Sequence, residues 1–76
     1  MVHAYAMVIT AAGTSATVVE AVADLPGVTE AHVVAGDYDI VVEIDRESVA
    51  DVLRVVSAEL GEIEGVGTTR TYVAID

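Results

Sequence analysis

The stretch that decides the fold is VAGDYDIVVEI, residues 34–44. Runs rich in β-branched and aromatic residues flank the pair Gly36-Asp37, and such a pair between two strand-like runs is typical of a tight β-hairpin turn. We therefore predict two antiparallel strands joined at this turn. The turn would also gather the carboxylates of Asp37 and Asp39, the Tyr38 phenol and several backbone amides at one end of a sheet.

The other elements follow from the spacing of apolar residues on either side of this hairpin. Alternating apolar positions predict strands, and apolar positions three or four apart predict amphipathic helices. The predicted strands are 2–9, 28–35, 38–45 and 68–75. The first helix starts at Thr14 or Ser15, and its apolar stripe is Val18, Val22 and Leu25. The second helix is capped by Asp45 or Ser48, and its apolar stripe is Val49, Val52, Leu53, Val56 and Leu60.

A short sequence similarity between the two halves of the chain supports this order of elements. The segment LPGV at 25–28 precedes the second strand, and the segment IEGV at 63–66 precedes the fourth. Each half of the chain is then a βαβ unit, and right-handed crossovers place both helices on the same side of one antiparallel sheet. The order β-α-β-β-α-β therefore predicts a ferredoxin-like α/β plait.

The first strand is apolar on both of its faces. His3, Tyr5, Met7 and Ile9 alternate with Ala4, Ala6 and Val8, which is typical of a strand covered on both sides. Two helices cover one face of a four-stranded sheet, so the other face would carry exposed apolar side chains. Exposed apolar patches of this size usually mark an interface. We predict a homodimer in which two sheets pack face to face.

The composition indicates the broad class of protein, but it says little about the function. Seventy-six residues make one domain, the chain has no cysteine, and 13 acidic residues face three basic ones, all arginine. This negative field disfavours direct binding to nucleic acid, and it fits a protein adapted to high salt, as in a halophile. No apolar run approaches the ~20 residues of a membrane span, and no signal peptide is evident. We predict a soluble cytoplasmic protein without membrane contact.

The sequence offers little for catalysis. Ser15, Ser48 and Ser57 fall on predicted helix positions, where capping or solvation explains them. His3 and His32 lie on strands predicted to be neighbours, but two histidines without a third ligand are poor evidence for a metal site. We therefore predict no catalytic residues, no metal and no cofactor. A small ferredoxin-like enzyme that uses these histidines remains an alternative.

Two features favour a small-ligand site. One is the turn Gly36-Asp37-Tyr38-Asp39, and the other is the pair Thr69 and Thr71, which alternation places on one face of the last strand. An α-amino acid needs acceptors for its ammonium and donors for its carboxylate, and these groups supply both. Turn geometry and the β-propensity of threonine explain the same residues without any ligand.

The chain resembles the effector-binding domain of the leucine-responsive regulatory protein/AsnC transcription regulators, also called the RAM domain. The resemblance covers nearly the whole chain and has four parts in order: AYAMV at 4–8, LPGV at 25–28, GDYD at 36–39, and GV at 65–66 followed by Thr69-x-Thr71-Tyr72-Val73. Because full-length members carry an N-terminal helix-turn-helix, the chain is similar to the stand-alone class without a DNA-binding domain.

The resemblance implies a non-enzymatic regulatory protein. It implies dimers that pack through their sheets, rings of eight or ten subunits, and an amino acid or related metabolite bound between dimers. By position, the ligand-binding residues would be Gly36, Asp37, Tyr38, Asp39, Thr69 and Thr71. Its role would be to sense a metabolite in transcription or amino-acid metabolism. The alternative is a structural partner that co-assembles with a full-length helix-turn-helix relative and binds no ligand of its own.

Overall fold

The structure is a computed structural model that describes every residue from Met1 to Asp76. It contains the strands β1 (Val2–Thr10), β2 (Val28–Val33), β3 (Ile40–Arg46) and β4 (Val66–Val73), the helices α1 (Ser15–Ala23) and α2 (Val49–Arg54), and a π-helical segment (Val55–Leu60) that continues α2. The strands form one antiparallel sheet in the order β2-β3-β1-β4. Both helices pack on one face, so the predicted ferredoxin-like plait is confirmed.

The core lies between this sheet and the two helices. Ala4, Ala6 and Val8 of β1 are fully buried, as the alternation in the first strand predicts. They pack with Ile40, Val42 and Ile44 of β3 and with Val18, Val22, Val52, Val55, Val56 and Leu60 of the helices. All buried residues are hydrophobic, so burial of apolar surface is the main source of stability in this single layer of core.

The second helix departs from the prediction at two positions. Val49 and Leu53 were expected in its apolar stripe, but they are 46% and 50% exposed, whereas Val55 is buried. Leu53 lies about 100° around the helix from the buried Val52, at the margin of the stripe. The Gly61 amide bonds to the Val56 carbonyl, a π-type spacing that ends the helix at Leu60. Neither helix is long and apolar enough to cross a membrane.

The connection between β2 and β3 is longer than the predicted two-residue turn. β2 ends at Val33 and β3 begins at Ile40, so residues 34–39 form a six-residue loop. Tight hairpin turns of the predicted type need a positive φ at their centre, and Gly36 does not adopt one. The prediction of a hairpin was correct, and the prediction of its two-residue turn was wrong, since six residues connect the two strands.

The two similar segments, at 25–28 and 63–66, form the same kind of backbone turn. Gly27 and Gly65 both adopt positive φ, at 84° and 98°. In both halves the amide after the glycine bonds back three residues, from Val28 to Leu25 (3.2 Å) and from Val66 to Ile63 (3.1 Å). A positive φ is costly for residues with a side chain, so each glycine allows the tight turn that leads into the next strand.

The sheet face opposite the helices is uncovered in the single chain, and we call it the open face. The strand register places the following side chains on it: His3, Tyr5, Met7 and Ile9 of β1, Val41, Glu43 and Asp45 of β3, Glu30 and His32 of β2, and Arg70 and Tyr72 of β4. Three of its large hydrophobic side chains are substantially exposed, at 39% for Tyr5 and Ile9 and 56% for Tyr72. The face thus combines an apolar centre with a charged border.

Candidate functional site

The loop 34–39 presents polar groups at one end of the sheet. Gly36 and Asp37 are exposed, and Tyr38 and Asp39 are half-buried. The Val34 amide donates to the Asp39 carbonyl (2.9 Å), which closes the base of the loop. The Asp37 carboxylate and the Tyr38 hydroxyl make no hydrogen bond within the chain, so both are free to meet a ligand or a second subunit.

Asp39 holds this loop against the end of β1. Its amide donates to the Val8 carbonyl (2.9 Å), and its Oδ2 accepts from the Thr10 amide (2.8 Å) and the Thr10 hydroxyl (3.3 Å). The Thr10 hydroxyl has one hydrogen, which goes to Asp39, so the Ser15 hydroxyl donates to Thr10 (2.8 Å). The carboxylate therefore links the loop to β1 and to the first turn of α1, and its second oxygen accepts no bond within the chain.

Thr10 and Ser15 were not identified as site residues from the sequence. The sequence predicts a strand at 2–9 and a helix that starts at Thr14 or Ser15, so Thr10 falls just beyond the predicted strand, whereas the structure includes it in β1. Two hydroxyl residues flanking the loop 11–14 were the available signal, but the sequence does not show that Asp39 reaches them. The contact depends on the register of β1 against β3, which places Ile40 opposite Val8.

Thr69 and Thr71 share one face of β4, as alternation predicts. They lie opposite Val8 and Ala6 of β1, and therefore on the helix-covered face rather than the open one. Both are half-buried, and neither hydroxyl makes a hydrogen bond within the chain. Because β1 lies between β3 and β4, one chain does not bring these hydroxyls into contact with the loop 34–39. The six predicted ligand residues thus form two separate polar groups.

Two shallow cavities are present, and neither contains the predicted ligand residues. One, of about 390 Å³, is lined by Met1, Asp45, Arg46, Glu47 and Asp51. The other, of about 330 Å³, is lined by Thr14, Thr17, Val18, Glu64 and Gly65 at the start of α1. Both cavities are open depressions on the surface of a single subunit.

The two histidines lie on the open face but not on neighbouring strands, so that part of the prediction was wrong. β3 separates their strands, because the sheet order is β2-β3-β1-β4. His3 lies between two carboxylates of β3: its Nδ1 bonds to Asp45 Oδ1, and its Nε2 lies 3.1 Å from Glu43 Oε1. His32 pairs with Glu30 (3.0 Å), and this hydrogen bond lowers the pKa of the Glu30 carboxyl.

The serines occupy structural positions. Ser48 caps α2 by accepting from the Asp51 amide (3.1 Å), as predicted, and the Ser57 hydroxyl donates to the Leu53 carbonyl (2.8 Å). Thr14 precedes α1 but does not cap it, since its hydroxyl donates to the Ala11 carbonyl (2.7 Å). No serine is bonded to a histidine, and no group of three or more His, Cys, Asp or Glu side chains is placed to hold a metal ion.

The structure defines a ferredoxin-like plait with an uncovered sheet face and a polar loop at the sheet end, and this class of fold hosts many unrelated functions. The comparison with protein families narrows this class. The sequence profile of the Lrp/AsnC ligand binding domain matches residues 3–76. The chain therefore belongs to the Lrp/AsnC ligand-binding domain family.

Known relatives and structures agree with this assignment. An uncharacterized HTH-type transcriptional regulator of Pyrococcus abyssi is 40% identical over 63 residues, which cover 83% of this chain and 42% of that protein. A crystal structure from Thermus thermophilus superposes with a TM-score of 0.95 at 30% identity, over 100% of this chain and 95% of that one. A Neisseria meningitidis transcriptional regulator, solved as a complex with L-Met, shares the fold alone (TM-score 0.85, 16% identity, 99% of this chain and 50% of that one).

Two consequences follow from these relatives. The chain spans about two-fifths of the length of the curated relatives it matches, all named as HTH-type transcriptional regulators. These relatives come from Pyrococcus, and they give no support to the halophile interpretation of the acidic surface. The chain carries a formal charge of −10, so any contact between two copies brings like charges close together.

Proposed function

We propose that residues 1–76 form a single effector-binding domain that senses a free amino acid or a related metabolite and, as an oligomer, regulates transcription or amino-acid metabolism. The observation that carries this proposal is the match of the Lrp/AsnC ligand binding domain over residues 3–76. The L-Met complex of a regulator with the same fold supports an amino acid as the class of effector. The proposed role is non-enzymatic and needs no cofactor.

The polar groups of the chain fit the two charged ends of an amino acid. Asp37 and the unbonded oxygen of Asp39 can accept hydrogen bonds from an ammonium group, and amides near the exposed Gly36 can donate to a carboxylate. Tyr38 adds a hydroxyl beside them. The hydroxyls of Thr69 and Thr71 can donate or accept. This assignment makes the loop 34–39 the charged part of the pocket.

We propose that the complete pocket forms between subunits. In one chain β1 separates the loop from the threonines, and neither cavity contains any of the six residues. A second subunit could bring its own residues against either group and close the site from water. The family resemblance places such sites between dimers in rings of eight or ten subunits, which is the assembly we propose for this chain.

The first step of that assembly is a dimer through the open face. Tyr5, Met7, Ile9, Val41 and Tyr72 form an apolar centre across three adjacent strands, and the helices cover none of it. Removing this surface from water would stabilise a dimer at about 25 cal/mol per Å² of apolar area. A second copy of the chain presents the same residues, so the interface would be self-complementary under two-fold symmetry.

Isothermal titration against each of the twenty amino acids tests the proposed effector directly. The experiment uses the full chain near neutral pH at both low and molar salt, because its acidic surface would weaken subunit contacts at low ionic strength. We expect saturable binding of one amino acid or a small related group, with no more than one site per chain. Absence of binding to all twenty, with the fold and assembly intact, would rule out a free amino-acid effector.

Substitution of Asp39 tests the charged part of the pocket. We expect Asp39→Ala to weaken ligand binding by ~1.5–3 kcal/mol, because it removes a partner of the ammonium in a partly desolvated site. The dimer should remain, since Asp39 lies outside the open face. Asp24→Ala is the matched control, because Asp24 is an exposed carboxylate at the end of α1 opposite to Ser15 and the Asp39 contacts, and it should leave affinity unchanged. Equal affinities of the two variants would remove Asp39 from the ligand site.

The length of the curated relatives favours a second candidate function. Those relatives are about twice as long as this chain and are named HTH-type regulators. The chain could therefore complete hetero-oligomers with such a DNA-binding relative and bind no effector of its own. Affinity capture from native extract, followed by mass spectrometry, separates the two functions. The second requires a helix-turn-helix partner in stoichiometric amount, whereas the first requires only copies of this chain.

A further inference from the structure

The most distinctive charged cluster of the molecule lies on the open face rather than in the loop 34–39. It consists of His3, Glu43 and Asp45, and we call it the His3 cluster. Each nitrogen of the imidazole faces a carboxylate, Nδ1 toward Asp45 and Nε2 toward Glu43. A neutral imidazole has one N–H and satisfies one of these acceptors, whereas the protonated ring donates to both. The geometry therefore selects the protonated form of His3.

The groups around His3 offer no other positive charge in contact with the two carboxylates. Tyr5 packs edge-on against the imidazole with its ring centre 4.9 Å away, and Tyr72 lies opposite Tyr5 on β4. Glu30 lies opposite Glu43 in the register of β2 against β3, and it adds a third carboxylate to this part of the open face. The other ionisable groups nearby are the Met1 amine, His32, which bonds to Glu30, and Asp76 with the chain terminus, two residues beyond the Ala74 amide that bonds the His3 carbonyl. Arg46, Glu47 and Asp51 line a shallow cavity together with Asp45. Arg70, the arginine of this face, lies opposite Met7, beyond Tyr5.

A second subunit on the open face would change the free-energy cost of keeping His3, Glu43 and Asp45 charged. In the single chain the His3 side chain is 34% exposed and water still reaches both carboxylates. Docking of a second sheet displaces that water, and a carboxylate that loses water without gaining a donor is strongly destabilising. With His3 protonated, both carboxylates keep a charged donor. With His3 neutral, at least one of them is left without a donor, and two copies of the negative cluster enter one interface.

We propose that the His3 cluster makes the sheet-to-sheet association of two copies of this chain proton-dependent, so that the dimer is stable with His3 protonated and weakens when His3 loses its proton. This inference rests on the proposed dimer through the open face, and it adds a means of regulation to that interface. The proton acts at the interface itself, apart from any effector bound near the loop 34–39.

The direction of the pH dependence follows from the same contacts. The hydrogen bond to Asp45 is the main cause that raises the pKa of His3 above its ordinary value of 6.5 in the single chain; burial opposes it, while the charges of Asp45 and Glu43 and the hydrogen bond to Glu43 add to it. Loss of water from the cluster on docking would raise the pKa of His3 further, because both carboxylates then depend on the protonated ring for a donor. The favourable contribution to association is therefore complete below the pKa of the single chain and is lost as the pH rises through the higher pKa of the dimer. The dimer should therefore be tighter in mildly acidic than in mildly alkaline solution.

Sedimentation equilibrium of the full chain across about pH 6 to about pH 9 tests the proposal, since this range spans histidine titration while leaving carboxylates ionised. We expect the dimer dissociation constant to rise roughly tenfold or more between the two ends. Asp45→Asn should flatten this dependence and keep the dimer tight at the alkaline end, because the amide needs no charged donor. A merely structural role of Asp45 would weaken the dimer at every pH instead, and that result would overturn the proposal.

His32→Gln is the matched control, since His32 is the exposed histidine of the same face and should leave the pH dependence intact. A measurement without any variant is the NMR titration of the His3 ring in the dimer and in the single chain obtained by dilution, where a pKa no higher in the dimer than in the single chain would contradict the proposal. A dimer whose affinity does not change with pH would overturn the proton linkage while leaving the dimer standing. A monomer at every pH would contradict the proposed dimer itself, and the linkage with it.

Discussion

Met7→Asp is expected to convert the assembly to monomers. Met7 lies at the centre of the open face, opposite Val41 on one side and Arg70 on the other. In the proposed dimer an aspartate here would lose water between the two sheets, and even beside Arg70 we expect a cost of ~3 kcal/mol or more per dimer, since each dimer buries two such carboxylates. This corresponds to at least a hundredfold rise in the dissociation constant, which sedimentation velocity would report as a shift to the single-chain mass.

The Met7→Asp result needs a control for the added charge. Ala16→Asp places the same charge on the exposed surface of α1, on the opposite side of the sheet, and should leave the assembly unchanged. Both variants should keep the far-ultraviolet circular dichroism of the parent, because neither position belongs to the helix-facing core. If Met7→Asp retained the mass of the parent protein, the open face would not be the interface.

Gly27→Ala is expected to remove a large share of the folding stability. Gly27 has φ of 84°, which costs a residue with a side chain about 1–2 kcal/mol, and an added Cβ would lie 2.8 Å from the Asp45 carbonyl oxygen. Displacing that backbone would also disturb the bond from the Asp45 amide to the Gly27 carbonyl. We expect a loss of ~2–4 kcal/mol, against a total of roughly 4–11 kcal/mol for a domain of this length.

Gly36→Ala is the matched control for this prediction. An added Cβ at Gly36 meets no heavy atom within 4 Å, and its φ is not in the left-handed region. We therefore expect its free energy of unfolding to change by less than ~1 kcal/mol, with a small gain from the stiffer unfolded chain. Urea denaturation at one fixed protein concentration compares the two variants with the parent. Similar stabilities of the two variants would contradict the role assigned to the Gly27 turn.

The parts of the fold that the sequence predicted are those set by local pattern. Alternation in β1 identified Ala4, Ala6 and Val8 as one buried face, because a strand can present only two faces. The repeated glycine before β2 and β4 marked two turns of the same geometry. The stripe of α2 was predicted less well, since Leu53 lies at its margin and the prediction left out Val55, which follows the buried Val52 by three residues and lies on the same face.

The candidate site was harder to predict, because its contacts join distant segments. Asp39 bonds to Thr10, 29 residues away, and local pattern does not show this contact. His3 meets Glu43 and Asp45 only through the register of β1 against β3. Thr69 and Thr71 share a face as predicted, but which face follows from the whole sheet. The residues that a second subunit would contribute to the site cannot be predicted from the pattern of a single chain.

The central claim is that a second copy of the chain covers the open face, since the proposed pocket and its regulation both depend on that assembly. The most direct measurement is the mass in solution by light scattering, at low and at molar salt and mildly acidic pH. We expect a mass of at least two chains of 7.9 kDa, and a whole-number multiple of the dimer in any larger species. A particle of 7.9 kDa under all these conditions would contradict it.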